Sequence, residues 1–358
     1  MFERLKQLRA PAFTVACGVI AGSAFLCSCD SRVNSGGDYD PSACRDAGGG
    51  QSAPIGRGEP IVINVGNAKT YYNRGVAHLQ HRRYADAIAA CRKALAIEPD
   101  FAEAYNNMGC AYDHLGRYTD ALAAFRKTVA IKPDHASAHY NIGRMRAKLG
   151  RYTEAIDAYK KAVALKADFA EAHCSMGFAY CRLRRYADAL TACKKAIAIK
   201  PDYVEAYNNM SLAYGNLGRH IDSVAACRKA IALDPDLAEA HYNLGIAFGN
   251  LGRYTDAIAA YKKAIALKPD FARAHHNMGS AYGNLGRYAL AIAAWTKAVA
   301  IEPTHARAQL NIGIAHARLK QRDQAIAAFE KAIAIDPKGA TADEAREGIR
   351  RARRKLKD

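Results

Sequence analysis

No signature of metal, haem or nucleotide chemistry runs through this chain. Its 12 histidines contain no HExxH pair and its 10 cysteines no CxxC or CxxCH. That removes the usual marks of zinc hydrolases, thioredoxin-like centres and c-type haem. No phosphate-cradling glycine loop, Ser/His/Asp set or paired catalytic acids stands out. Outside the periodic region no stretch is long enough for a catalytic domain, so no enzyme, cofactor, metal or small-molecule substrate is expected. Acidic residues are few: 34 Asp and Glu against 52 Lys and Arg leave a net charge of +18. That surplus admits an acidic peptide, anionic lipid or nucleic acid without choosing among them. The apolar run at residues 12–26 has 15 residues, short of the roughly 20 that a bilayer-spanning helix needs.

What the chain has is a period. A 34-residue unit recurs over residues 68–337, closed by Pro99, Pro133, Pro201, Pro235, Pro269, Pro303 and Pro337, with Ala167 once in their place. Eight units without insertion imply a solenoid, because one helix pair cannot bury its apolar face alone and a stack can. Within residues 238–269, His241, Leu244, Gly245, Phe248 and Leu251 keep the 3/4 spacing of one helix. Tyr254, Ala257, Ile258, Tyr261, Ala264 and Ile265 do so for a second, with a Gly-Arg turn at Gly252 and Arg253 between them. Pro269 stops that helix. The Asp that follows is expected to cap the next, as a capping box at Asp100/Glu103, Asp168/Glu171, Asp202/Glu205 and Asp236/Glu239. Basic pairs such as Arg92/Lys93, Lys160/Lys161 and Lys262/Lys263 lie off the apolar stripe, as a solvated convex ridge would.

The pattern resembles the tetratricopeptide repeat (TPR) family. The carrying residues are Tyr105, Met108, Gly109, Tyr112, Ala121, Phe125, Thr128 and Pro133 in the second unit. In the seventh they are His275, Met278, Gly279, Tyr282, Ala291, Trp295, Ala298 and Pro303. The departures are His at position 4 in several units, Ser211 for Gly and Ser223 for Ala. The resemblance implies an all-α, right-handed superhelical solenoid of eight TPR helix pairs with a C-terminal capping helix. Position 6 of the unit holds Asn73, Asn107, Asn141, Asn209, Asn243, Asn277 and Asn311, broken only by Ser175. In TPR superhelices this site lies on the concave face. In the similar TPR region of O-linked N-acetylglucosamine transferases such a ladder holds the backbone of an extended peptide. A carboxamide offers a donor and an acceptor, so it suits a peptide group without reading side chains. The other reading is that these asparagines bridge neighbouring helices. Asn216, Asn250 and Asn284 at position 13 are expected to face the same way, and Arg273 and Arg307 replace the usual Glu at position 2. A cation there opposes the helix dipole, a local cost that hints at function. The chaperone-type Lys/Asn clamp is not matched, since position 5 holds Tyr72, Asn106 and Tyr140.

The ends read differently. Residues 1–28 carry Arg4, Lys6 and Arg9, then the short apolar run, as a secretory signal does. The junction Leu26-Cys27-Ser28-Cys29 resembles a bacterial lipoprotein signal, with Cys29 as the lipidated residue and Asp30 implying inner-membrane retention facing the periplasm. An uncleaved N-terminal anchor, ordinary cleavage and no export are the alternatives. Residues 29–67, with clustered glycines, read as a flexible tether. Residues 338–358 read as a basic capping helix, started by a Thr341/Glu344 capping box, with Arg346, Arg350, Arg351, Arg353 and Arg354 on its outer face.

Cys91, Cys193 and Cys227 take the position 24 held elsewhere by Phe, Tyr or Trp, so they are core residues. Cys110, Cys174 and Cys181 fall off the main stripe, and unpaired thiols argue against an oxidising compartment. The functional expectation is a non-catalytic scaffold that binds extended or disordered segments of other proteins in its groove, tethered to a membrane through its N-terminus. The alternative is a membrane-surface scaffold that uses its basic ridge and C-terminal helix on anionic lipid or polymer. Nucleic acid is not expected, since the basic face lacks interleaved aromatics.

Overall fold

In the computed structural model, residues 67–354 are described. Among them lie seventeen α-helices and no strand. They alternate between first helices of 13 residues and second helices of 14. The helices are α1 (Ala68–Gln80), α2 (Tyr84–Ile97), α3 (Ala102–His114), α4 (Tyr118–Ile131), α5 (Ala136–Lys148), α6 (Tyr152–Leu165), α7 (Ala170–Arg182) and α8 (Tyr186–Ile199). Then follow α9 (Val204–Asn216), α10 (His220–Leu233), α11 (Ala238–Asn250), α12 (Tyr254–Leu267), α13 (Ala272–Asn284), α14 (Tyr288–Ile301), α15 (Ala306–Arg318), α16 (Arg322–Ile335) and α17 (Ala340–Arg354). Helices α1–α8 form one compact unit and α9–α17 another. Inside each unit a helix packs most heavily on its own partner, next on the helix that follows, and first helices also touch the next first helix. The signal, the tether and Cys29 lie outside the described residues.

The pairing is close because two positions are small. Position 20 (Ala87, Ala121, Ala155 and their equivalents) is fully buried, and so is position 27. Position 8 is glycine because the position 24 side chain occupies the place of its Cβ. A Cβ at Gly109 would stand 2.7 Å from the Phe125 ring, at Gly143 2.5 Å from Tyr159, and at Gly279 2.7 Å from Trp295. Each of those rings is at most 2 % exposed.

The hairpin between paired helices is a Schellman turn. In α3–α4, Arg117 N donates to Tyr112 O at 2.9 Å and Gly116 N to Asp113 O at 2.9 Å. Gly116 has φ +71°, and the equivalent residue has positive φ at Gly150, Gly218, Gly252 and Gly286. Three pairs place Arg82, Arg184 and Lys320 in this left-handed region instead. The arginine after the glycine is more than turn filler. Arg117, Arg185, Arg219 and Arg253 each pair with the aspartate three residues on at 2.7 Å. The same guanidinium groups lie 4.5–4.7 Å over the rings of Tyr112, Tyr180, Tyr214 and Phe248.

Several sequence expectations are corrected. The aspartates after the closing prolines do not cap: the N-cap residues of α3, α7, α9 and α11 are Phe101, Phe169, Tyr203 and Leu237, with no side-chain cap bond. Each aspartate sits one residue too early, and the apolar N-cap residue is used for packing instead. Phe101 lies 4.9 Å from Tyr72, Phe169 4.9 Å from Tyr140, and Phe271 4.7 Å from Tyr242. Thr341 likewise lies inside α17, and Glu344 reaches across to Arg307. Cys110, Cys174 and Cys181 are buried rather than peripheral, because a first helix is covered on two faces, by its own partner and by adjoining pairs.

Candidate functional site

Positions 2, 6, 9 and 13 of a first helix fall on one face, since they are spaced by three and four residues. That face carries the asparagine row. Asn73 is exposed and Asn243 half-buried, whereas Asn107, Asn141, Asn209, Asn277 and Asn311 are buried. Three of the row reach back to position 5 of the preceding first helix. Asn107 bonds the Tyr72 hydroxyl, whose pKa burial raises and this bond lowers. Asn243 Nδ2 donates to Asn208 Oδ1 at 2.9 Å, and Asn277 Nδ2 to Tyr242 Oη at 3.2 Å. The bridging role therefore accounts for part of the row.

One place in the row is different. Asn141 Oδ1 accepts from Arg144 Nη1 at 3.2 Å, which leaves its amide turned away from Asn106. Asn106 Oδ1 and Asn141 Nδ2 are buried with no hydrogen-bond partner, although the same two positions bond each other as Asn208 and Asn243. Arg144 is occupied because Asp113, at position 12 and nearly buried, accepts from its Nη2 at 3.1 Å and from Lys148 Nζ at 2.8 Å. Arg144 and Lys148 thus share one carboxylate. Arg182 lies 5.1 Å over the Tyr152 ring. Asp113 went unnoticed in the sequence, where its spacing of 31 and 35 residues from its partners was the available signal.

In the other unit, Asn216 is exposed and its Nδ2 turns back to Leu212 O at 2.8 Å; Asn250 and Asn284 are half-buried. Arg273 is half-buried, 5.5 Å from the rings of both Tyr242 and Phe271. Arg307 pairs with Glu344 of α17 at 2.6 Å, so the C-terminal helix holds one end of this face. Near it, His276 and His305 take positions 5 and 34, where other pairs put Tyr and Phe. Their rings stack at 4.5 Å and 20°. Burial, then His305 and Arg307, pushes His276 down to about 3; burial also lowers His305.

The position 4 histidines each meet a backbone carbonyl. His139, His241 and His275 donate through Nε2 to the carbonyls of Pro133, Pro235 and Pro269 at 2.9, 2.9 and 3.1 Å. His173 meets Ala167 O at 3.4 Å. Among the described residues no group of His, Cys, Asp and Glu could hold a metal, and no helix is long and apolar enough to cross a membrane. The outer face of α17 is not a bare cationic strip: Arg346 pairs with Asp343, Arg350 and Arg351 with Glu347, and Arg353 with Glu330.

Family models for the tetratricopeptide repeat match residues 68–101 and 170–203, 106–168, 204–233, 222–252, 250–286 and 270–338. The chain belongs to the tetratricopeptide repeat family. Among solved structures it is similar to a chain of the APC/C hetero-tetramer Cut9–Hcn1, at 19 % identity and TM-score 0.58. That match covers 75 % of this chain and 52 % of the other, so the TPR region here spans about half its length. MamA matches at 28 % identity over 48 % of this chain and 94 % of that one, TM-score 0.44. YrrB, described as a TPR protein with an unusual peptide-binding site, matches at 24 % over 52 % and 96 %, TM-score 0.45. No curated protein matches. The TPR fold is an interaction scaffold, and these likenesses go no further than that fold.

Proposed function

We propose that this TPR chain is a non-catalytic scaffold that binds extended segments of other proteins along the first-helix face bearing the asparagines. The carrying observation is the unmet pair at Asn106 and Asn141: a buried acceptor and a buried donor without partners, at position 5 of one first helix and position 6 of the next. Such groups are costly to leave unpaired, and a peptide group supplies one donor and one acceptor. In the other unit, Asn216, Asn250 and Asn284 hold position 13 of their first helices and are less buried. Arg273 and Arg307 extend it at position 2, Arg307 through its pair with Glu344.

Affinity capture from a native lysate tests the reading, with wild type beside Asn216→Ala/Asn250→Ala/Asn284→Ala. These side chains are not buried, so folding should be retained while bound proteins are lost. An unchanged set of bound proteins would overturn the groove as the site. Retention of that set together with steep salt sensitivity would favour the basic ridge and the alternative of anionic lipid or polymer.

The tether is part of the same proposal. A diacylated or triacylated Cys29 would hold the scaffold stably at a bacterial inner membrane, facing the periplasm, where one chain alone is marginal. The cysteines of the repeats do not oppose this: Cys91, Cys174, Cys181, Cys193 and Cys227 are all buried. Burial pushes Cys91, Cys181 and Cys227 up to about 12, far from the thiolate that oxidises. Metabolic labelling with a clickable fatty acid should mark wild type and not Cys29→Ala. Equal labelling of both, or membrane association that survives the substitution, would refute the lipid anchor.

A further inference from the structure

The last repeat departs from the other seven at one place that the groove does not use. Position 4 is an aromatic or imidazole ring in seven units (Tyr71, Tyr105, His139, His173, Tyr207, His241, His275) and Gln309 in the eighth. Position 16 is arginine in seven units and Gln321 in the eighth. The ring at position 11 here is His316, whose Nδ1 lies 2.7 Å from Gln321 Oε1, so it is drawn to the turn. Where ring packing is lost, a recess of about 310 Å³ opens between α14, α15 and α16. Its floor is apolar: Ile292 and Val299 from α14, Ile312 from α15, Ala328 from α16. Gln309, His316 and Gln324 supply polar groups at its side, and the exposed Lys331 stands at its rim.

This recess is remote from the asparagine row. Positions 4, 7 and 11 lie roughly 100–180° around the helix from positions 2, 6, 9 and 13, at about 100° per residue. Asn311 and Gln309 therefore face opposite ways on α15.

We propose that the recess is an anchor site for a phenyl or phenol side chain of a partner protein, flanked in that partner by an acidic residue. The seven other units carry a ring at position 4 where this one has Gln309, and a concave apolar site with a few polar groups suits a planar side chain. Lys331, the lysine that holds position 26 in all eight units, stands beside this recess and supplies the complement for the flanking carboxylate. Lys297, at the same position of the preceding unit, is exposed as well.

Methyl NMR on the full chain tests the site directly, because Ile292, Val299 and Ile312 report from its floor. The probes are acetyl-Glu-Glu-Phe-Glu-Glu-amide, the same peptide with Ala for Phe, and phenylacetate. Saturable shifts of those methyls are expected with the phenyl peptide at millimolar concentration and not with the alanine peptide. Lys331→Glu should weaken the phenyl peptide at least about threefold, the scale of one exposed ion pair. Gln309→Tyr/His316→Tyr should abolish the shifts without lowering the melting temperature, since it restores the rings of the other units. Equal response to the alanine peptide, binding undiminished in the filled variant, or saturation by phenylacetate where the peptide leaves the methyls unmoved would each overturn the proposal. Asn216→Ala/Asn250→Ala/Asn284→Ala should leave these shifts intact, so the site stands or falls apart from the groove.

Discussion

Mild acid should loosen the seventh and eighth repeats through the stacked histidines. His276 is 4 % exposed, and its ring lies 4.5 Å from His305. A proton on either ring must be buried beside the other and near Arg307, which is why His276 falls to about 3 from an unfolded value of 6.5. The sign follows from linkage: the unfolded chain binds the proton that the folded chain refuses. The stabilisation is complete above pH 6.5 and is lost as pH falls toward 3. At pH 5 the unfolded imidazole is protonated and the folded one neutral, a difference of about 2 kcal/mol from His276 alone. The charges around the pair do not cancel this: Glu302 raises His305 only in part, and the Glu344 carboxylate is engaged by Arg307. Hydrogen exchange read repeat by repeat at pH 7.5 and pH 5 is the assay, because solenoid stability is local. Protection in α13–α15 should fall at pH 5 by more than tenfold relative to α1–α6. His276→Tyr/His305→Phe, the residues found at Tyr242 and Phe271, should erase the difference. An equal pH effect in that variant would refute the assignment to this pair.

Other expectations follow from the packing. Arg184→Gly should stabilise its hairpin by about 1 kcal/mol in a urea melt, since a side chain at φ +60° is strained, while Gly218→Ala should lose about as much. Gly279→Ala should cost about 1–3 kcal/mol, because the added methyl meets the Trp295 ring at 2.7 Å; single-tryptophan emission reads the displacement. Arg307→Ala should change stability by less than about 1 kcal/mol, since its pair with Glu344 is about half-exposed on both sides. Cys91, Cys181 and Cys227 should resist a thiol reagent at pH 8 until the chain is unfolded.

The repeat period and both helix stripes were legible because each unit repeats the same burial pattern, and the eight pairs follow from it directly. The caps were not. Asp100 and Glu103 have capping-box spacing, but burying Phe101 against Tyr72 fixes where the helix begins. The asparagine row was legible as a row and not as a surface. Whether position 6 faces solvent or a neighbour depends on position 5 one repeat earlier: a tyrosine or asparagine there draws the carboxamide inward, as Tyr242 does to Asn277. Arg144 breaks that rule by taking the carboxamide oxygen for itself, which is where the unmet groups arise. Residues 31 or 35 apart decide these cases, so a reading of single helices misses them.

The fifth unit shows how far the repeat can depart from its own pattern and what the departure requires. A Cβ at position 8 is excluded wherever position 24 is aromatic, yet Ser211 carries one. It does so beside Cys227, a side chain without a ring. Small size alone is not enough, since Gly177 faces Cys193 and a Cβ there would lie 2.5 Å from its sulfur. The fifth unit adds a third change: Ser223 Oγ donates to Ser211 O at 2.8 Å, and Ser211 Oγ to Asn208 O at 2.7 Å. Both hydroxyls are thereby satisfied inside the core, and both touch Cys227. Burying a hydroxyl without a partner costs about 1–3 kcal/mol, and each serine avoids that with a carbonyl of its own, Asn208 O for Ser211 and Ser211 O for Ser223. The hydrogen bond of Ser211 to Asn208 also stiffens the residue that holds Asn243 in the row, which links core exchange at position 8 to the face proposed for binding.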